Sequence, residues 1–229
     1  MPVQTPRTLS HFAFFRFNEA FFSLSPSERN QTLSSWWTSL STAAPRVDVY
    51  QLYPIQADAD VLVWSAVETS DPNQAGSFFA NYACQTNPFR RTIQTMQTMW
   101  GFTRPSEYTK TRSTQEIDPF AMERKPYLVM YPFVKTTDWY LMSREARQGM
   151  MNEHIRIGKQ YPEITQLLLY SFGLQDQEFI VVYETDDLAH FSDLVYELRS
   201  SEGRRYTLRD TPVYTALYHP PQETLALWA

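Results

Sequence analysis

One order of elements, β-α-β-β-α-β, occurs twice along this sequence and predicts an α+β fold of two tandem halves with antiparallel sheets. Three observations carry it. Each half holds a hairpin whose second strand ends in Glu-Thr-x-Asp, at Glu68-Thr69-Ser70-Asp71 and again at Glu184-Thr185-Asp186-Asp187. Each first helix opens on a serine, Ser25 or Ser143, and each hairpin leads directly into a second amphipathic helix.

In the first half, the apolar run at 11–17 predicts a strand. Ser25-Pro26-Ser27-Glu28 predicts a helix start, because serine and a glutamate three residues on can cap each other's backbone and proline costs nothing at the first helical position. Strands follow at 47–53 and 61–68, a helix at 75–84 and a closing strand at 98–103. The second half repeats this with strands at 127–134, 164–171 and 178–184, a helix opening at Ser143, and a helix at 188–199. In that last helix Phe191, Leu194, Val195 and Leu198 share one face. A closing strand is expected at 211–217. The polar stretch 104–125 reads as a linker, so the expected halves are 1–118 and 119–229. This is the ferredoxin-like unit, and two can pack sheet to sheet as a dimeric α+β barrel-type subunit.

A net charge of -5 argues against a surface built to neutralise phosphates, so nucleic acid is not an expected partner. The basic pairs Arg90-Arg91 and Arg204-Arg205 could still meet a small anion. A single cysteine, Cys84, allows no internal disulfide or thiolate cluster and is expected to be a buried spectator in a reducing compartment. No stretch approaches the roughly 20 apolar residues that span a bilayer, and a cytoplasmic setting is expected. No glycine pattern cradles phosphate, and HExxH and CxxC are absent.

Of four histidines, His11, His190 and His219 are expected at the surface. His154 differs, because it falls late in a helix on the face of Ala146, Met150, Met151 and Ile157. Such a residue is either a satisfied core histidine or a metal ligand. One imidazole cannot complete a zinc site, but it can complete a haem site, where the porphyrin supplies four nitrogens.

Tyr131-Pro132-Phe133-Val134-Lys135, Trp139-Tyr140, Arg147, His154, Gly158-Lys159-Gln160-Tyr161, the run from Tyr170 through Glu178, Tyr183 through Asp187, Leu194 through Arg199 and Arg205-Tyr206 resemble the chlorite dismutase-like superfamily. The coproheme decarboxylases are the branch most resembled. These motifs cover about the last hundred residues, and the first half is similar in layout alone. The resemblance implies a homopentamer with haem iron bound in the second half, His154 as proximal ligand, and Trp139 and Arg199 beside the porphyrin. Glu178 and Glu197 are then candidates for orienting the His154 Nδ1–H.

Enzymes of the superfamily that decompose chlorite carry a distal arginine where this chain has Gln166, which disfavours chlorite dismutation. Tyr131 and Lys135 match a tyrosine and a lysine placed beside the reactive propionate. The implied activity is an oxidoreductase reaction that converts coproheme, both substrate and cofactor, to haem b with hydrogen peroxide as oxidant. In it Tyr131 would act as a radical, Lys135 would hold a carboxylate or move a proton, and Gln166 would lie over the iron. A haem carrier or sensor without turnover is the alternative from a different class. Two departures from the family pattern are Ile155, in place of a glycine, and Phe133, in place of a methionine.

Overall fold

The structure, a computed structural model, describes residues 7–108 and 113–229. The chain packs as two compact units. The first comprises Met1–Thr103, Pro119–Met122 and Thr215–Ala229, and the second Arg104–Asp118 and Glu123–Tyr214. The expected division at 118/119 follows the repeat. Packing divides the chain differently on both sides: Arg104–Asp118 belongs to the second unit, and Pro119–Met122 with Thr215–Ala229 to the first.

In the first unit β1 (Thr8–Phe17) is followed by α1 (Glu19–Phe22), α2 (Pro26–Leu40), β2 (Arg46–Gln51), β3 (Val61–Glu68), α3 (Gln74–Thr86) and β4 (Ile93–Phe102). β1 is central and antiparallel to β3 and β4, and β3 also pairs with β2. The capping box at α2 is formed: Ser25 N–H donates to Glu28 Oε2 at 2.9 Å, and Glu28 N–H to Ser25 Oγ at 3.4 Å. Trp36 of α2 is fully buried and meets Phe15 edge-on at 5.1 Å, which fixes the helix on the sheet.

The second unit contains β5 (Tyr127–Lys135), α4 (Thr137–Leu141), α5 (Arg144–Gly158), β6 (Thr165–Tyr170), β7 (Phe179–Thr185), α6 (Leu188–Arg199) and β8 (Thr207–Arg209). β7 lies between β5 and β6, all antiparallel, and β8 pairs with the end of β5. Alternation along each strand gives the sheet two faces. Val129, Val181 and Tyr183 turn toward α5 and α6, where they pack with Ile157, Phe191 and Leu194. The register places Tyr131, opposite Val181, and Gln166, opposite Tyr183, on that same helix-covered face. Asp187 caps α6 by accepting from Ala189 N–H at 2.8 Å and His190 N–H at 3.2 Å.

The chain then forms β9 (Tyr214–Tyr218) and α7 (Pro221–Ala226). β9 pairs with β2 through Tyr50 and Gln51, and Leu225 and Trp228 complete the first unit's core. The strand starts three residues later than expected because Pro212 has no N–H to give a ladder. No helix among the described residues is long and apolar enough to cross a membrane.

Three side-chain expectations change. Cys84 is exposed, because α3 buries Phe78 and Tyr82 and Cys84 falls two residues beyond Tyr82 on the other face. Ala146 is exposed in the first turn of α5, so the inward face of that helix is used only farther along. His11 is not at the surface. It is 3% exposed in the middle of β1, met edge-on by Phe78, Phe79 and Tyr82 with ring centroids 4.7–5.8 Å away. Its register partner Ser65 lies three residues before Glu68, as Val181 lies three before Glu184. His11 therefore holds in the first unit the place Tyr131 holds in the second.

Burial lowers the His11 pKa from 6.5 to about 3. The unfolded chain thus binds more protons below pH 6.5, and stability falls as pH drops from 6.5 toward about 3. In urea denaturation, His11→Phe is expected to lose about 2–3 kcal/mol less than the parent between pH 7 and roughly pH 4.5, since each pKa unit is worth about 1.4 kcal/mol. Asp187→Ala should cost about 1 kcal/mol at any neutral pH, the usual penalty for losing an N-cap, and guanidinium denaturation checks it.

Candidate porphyrin site in the second unit

Every residue expected at the site falls in the second unit. Tyr131 and Lys135 alternate along β5 with Phe133 between them. Phe133 stacks on Phe179 of the neighbouring strand with ring planes 11° apart, which holds the end of β5 flat. The Tyr131 and Tyr183 hydroxyls are hydrogen-bonded. Burial pushes the Tyr131 phenol above its ordinary range, partly offset by the Tyr183 bond and by the nearby Arg199 guanidinium.

Lys135 is half-buried. Its backbone N–H donates to Glu178 Oε2 at 2.8 Å, and its Nζ lies 4.5 Å from the centroid of the buried Trp139 ring. The same Nζ donates to Thr207 Oγ1 at 3.3 Å and to the Gly203 carbonyl at 3.4 Å. Burial, with the Arg204 charge adding to it, brings the Lys135 pKa down to about 8. A weakened ammonium backed by an indole face is a cation with donors to spare.

His154 lies in the penultimate turn of α5, which starts on the Ser143 cap. Neither ring nitrogen has a hydrogen-bond partner among the described residues. Burial lowers its pKa to about 4, assisted by the Lys135 charge, so the ring is neutral near pH 7 and keeps a free lone pair. Glu178 and Glu197 do not orient it. Glu178 is taken by Lys135 and by the Tyr140 hydroxyl, and Glu197 accepts from Tyr161 Oη at 2.8 Å. The adjacent Glu153 instead accepts from Glu202 N–H at 3.0 Å, tying α5 to the turn Glu202–Tyr206.

Arg199, the last residue of α6, reaches forward to Asp210 and bonds its Oδ2. Arg204 bonds the same oxygen at 2.6 Å. These pairs hold the Asp210 carboxyl below its ordinary range although burial opposes it. β8 makes this geometry: Thr207 pairs with Lys135 and Arg209 with Val134, which delivers Asp210 to the end of β5.

Gln166 shares the sheet face of Tyr131 but is exposed and bonds none of the other site residues. Its backbone is fixed by the 104–125 segment, of which residues 109–112 lie outside the described residues. Gln166 N–H donates to the Gln115 carbonyl at 2.7 Å, and its carbonyl accepts from Ile117 N–H at 3.0 Å. The structure thus gathers Tyr131, Lys135, Trp139, His154 and Arg199 and leaves Gln166 apart.

Two contributors, Arg204 and Asp210, lie outside the sequence expectation. Arg204 was noted only as half of a basic pair, and Asp210 belonged to no motif. Arg147, two helical turns before His154 on the same face, has a buried Nε without a partner. It is one of the residues that carry the family resemblance, with no role assigned to it there.

These residues fit an iron porphyrin. A half-buried, unbonded neutral imidazole can give its lone pair to a metal, and Lys135, Arg199 and Arg204 can meet carboxylates. No group of three or more His, Cys, Asp or Glu among the described residues could hold a bare ion, so the remaining ligands would come from the porphyrin itself.

The comparisons with known proteins agree in direction. The chain is 28% identical to a coproheme decarboxylase of Mycolicibacterium smegmatis over 169 residues, covering 73% of this chain and 70% of the relative. It is 29% identical to a coproheme decarboxylase of Staphylococcus saprophyticus over 155 residues, 63% of this chain and 62% of that relative, less than two thirds of its length. In fold it resembles a double mutant of chlorite dismutase from Candidatus Nitrospira defluvii, with a TM-score of 0.82 at 21% identity over 97% of this chain and 95% of that one. The same enzyme in complex with imidazole gives 0.80 at 19%, covering 96% and 94%. The profile described as chlorite dismutase matches residues 17–218, a span that takes in strands of both units and every residue of the candidate site, and the chain therefore belongs to the chlorite dismutase family.

Proposed function

We propose that this protein binds the iron porphyrin coproheme and decarboxylates it to haem b with hydrogen peroxide. The observation that carries the proposal is a half-buried His154 imidazole with no hydrogen-bond partner among the described residues, in the same unit as a buried tyrosine that feels the charges of Arg199 and Arg204. The coproheme decarboxylases among its relatives support the same reading.

In this reading His154 would hold the iron porphyrin, which would supply the site where peroxide is reduced. Each propionic acid side chain plus one hydrogen peroxide gives one vinyl group, one carbon dioxide and two waters. The residues supply position and a hydrogen-atom path. Tyr131 loses its phenolic hydrogen and takes one from the β-carbon of the propionate. The second electron, released as the carbon–carbon bond breaks and carbon dioxide departs, would also go to the reduction of peroxide to water. Lys135, held against Trp139, meets the carboxylate as a point charge and becomes easier to deprotonate in this setting than a free lysine. Gln166 is the proposed neutral distal residue, where a chlorite-decomposing enzyme would need a cation. Residues 119–229 carry this site, and a homopentamer in the cytoplasm belongs to the same proposal.

Titration of the protein with ferric coproheme should give a Soret band that His154→Ala shifts or abolishes. With peroxide, the loaded parent should lose two carbon dioxide units by mass spectrometry, whereas Tyr131→Phe should bind coproheme with unchanged affinity and lose none. Tight binding without porphyrin product in the parent would point to a carrier or sensor, and oxygen release from chlorite to the dismutase reaction. Coproheme affinity should weaken as pH rises through about 8, where Lys135 loses its charge, and Lys135→Met should bind more weakly without that step.

A further inference from the structure

Arg199 and Arg204 approach Asp210 in an unusual way. Each gives one Nη1 to the same carboxylate oxygen, and neither guanidinium has any other partner among the described residues. A guanidinium carries five N–H groups, and its Nε and Nη2 edge grips carboxylate through two parallel bonds. That edge is free on both. The Asp210 side chain is 13% exposed, whereas those of Arg199 and Arg204 are 42% and 37% exposed, so the carboxylate is the inner member and the two guanidinium groups face outward.

The place of this triplet matters. Arg199, Asp210 and Arg204 all act electrostatically on the Tyr131 phenol, and Arg204 and Asp210 also act on Lys135. Three elements carry the three residues. Arg199 ends α6 and Asp210 follows β8, while Arg204 belongs to the turn that Glu153 anchors from α5. Without the carboxylate, two like charges on separate elements would have nothing to hold them side by side.

We propose that Asp210 is a positioning residue: by holding one nitrogen of each guanidinium, it keeps Arg199 and Arg204 side by side as a receptor for the propionate carboxylate that Tyr131 acts on. This rests on the decarboxylase reading above and adds to it a basis for choosing between porphyrins. Coproheme carries the two propionates that are lost and haem b carries vinyl groups in their place, so the receptor distinguishes substrate from product. Two oriented guanidinium groups cost less ordering on binding than two free ones, and the gain is reserved for a ligand with a carboxylate at that position.

The test is the ratio of dissociation constants for ferric coproheme and haem b, measured by absorption titration in the parent, Asp210→Ala and Asp210→Asn. Asp210→Ala should weaken coproheme binding on the order of tenfold and haem b binding less than about threefold, a loss of about 1.4 kcal/mol directed at one ligand. Asp210→Asn keeps the shape and one acceptor oxygen and should fall between the parent and the alanine variant, and circular dichroism confirms that both variants fold. Equal weakening for both porphyrins would overturn the proposal, as would unchanged coproheme binding. Tighter coproheme binding would also overturn it, showing that Asp210 competes with the substrate. If the parent binds no coproheme, the decarboxylase reading fails and this inference with it. If the parent binds it and the ratio does not move, only the inference fails.

Discussion

Keeping an imidazole neutral beside fixed positive charge is the constraint on which the second unit depends. Burial disfavours the protonated form of His154, Lys135 opposes it from nearby, and the Glu153 charge, which favours it, is the smallest of the three influences. The balance leaves the lone pair available to a metal. The same low-dielectric setting makes Lys135 costly to keep charged and Tyr131 costly to ionise. The unit answers with a small number of bonds per group: an indole behind the ammonium, a second phenol beside the first, one carboxylate shared by two guanidinium groups.

The two units show how one register can serve two purposes. At the position opposite Ser65 or Val181, the first unit puts an imidazole and closes aromatic rings over it, while the second puts a phenol among charges. Phe79 continues the first unit's aromatic packing onto Trp100 at 5.0 Å. Burial on this scale is ordinary core making, and it leaves His11 with an unpartnered Nδ1 as its cost. In both units the strand that carries this position pairs antiparallel with the second strand of the hairpin.

Much of the architecture was legible because its signals are local. Serine caps, Glu-Thr-x-Asp and a four-residue apolar periodicity each depend on near neighbours, and they gave the helices and hairpins in the right order. What depended on distant partners was not legible. His11 read as a surface residue because nothing in its strand reveals that rings from α3 will close on it. The last strand read as part of the second half because its pairing with β2 joins residues far apart in sequence. Asp210 was missed for the same reason: its meaning comes from Arg199 at the end of a helix and Arg204 in a turn. Tyr131, Lys135 and His154 were readable only through their resemblance to a family, and the structure adds their charge states and their partners.

Gln115, a residue far from any of this chemistry in sequence, gives its amide nitrogen to three carbonyls at once, those of Gly158, Tyr161 and Ile164. Those carbonyls belong to the connection between the helix that bears His154 and the strand that bears Gln166, and the adjoining Glu116 pairs with Gln166 itself. One side chain thereby acts as a gauge block between the two elements. Where the helix ends relative to the strand is thus decided by a residue that belongs to neither.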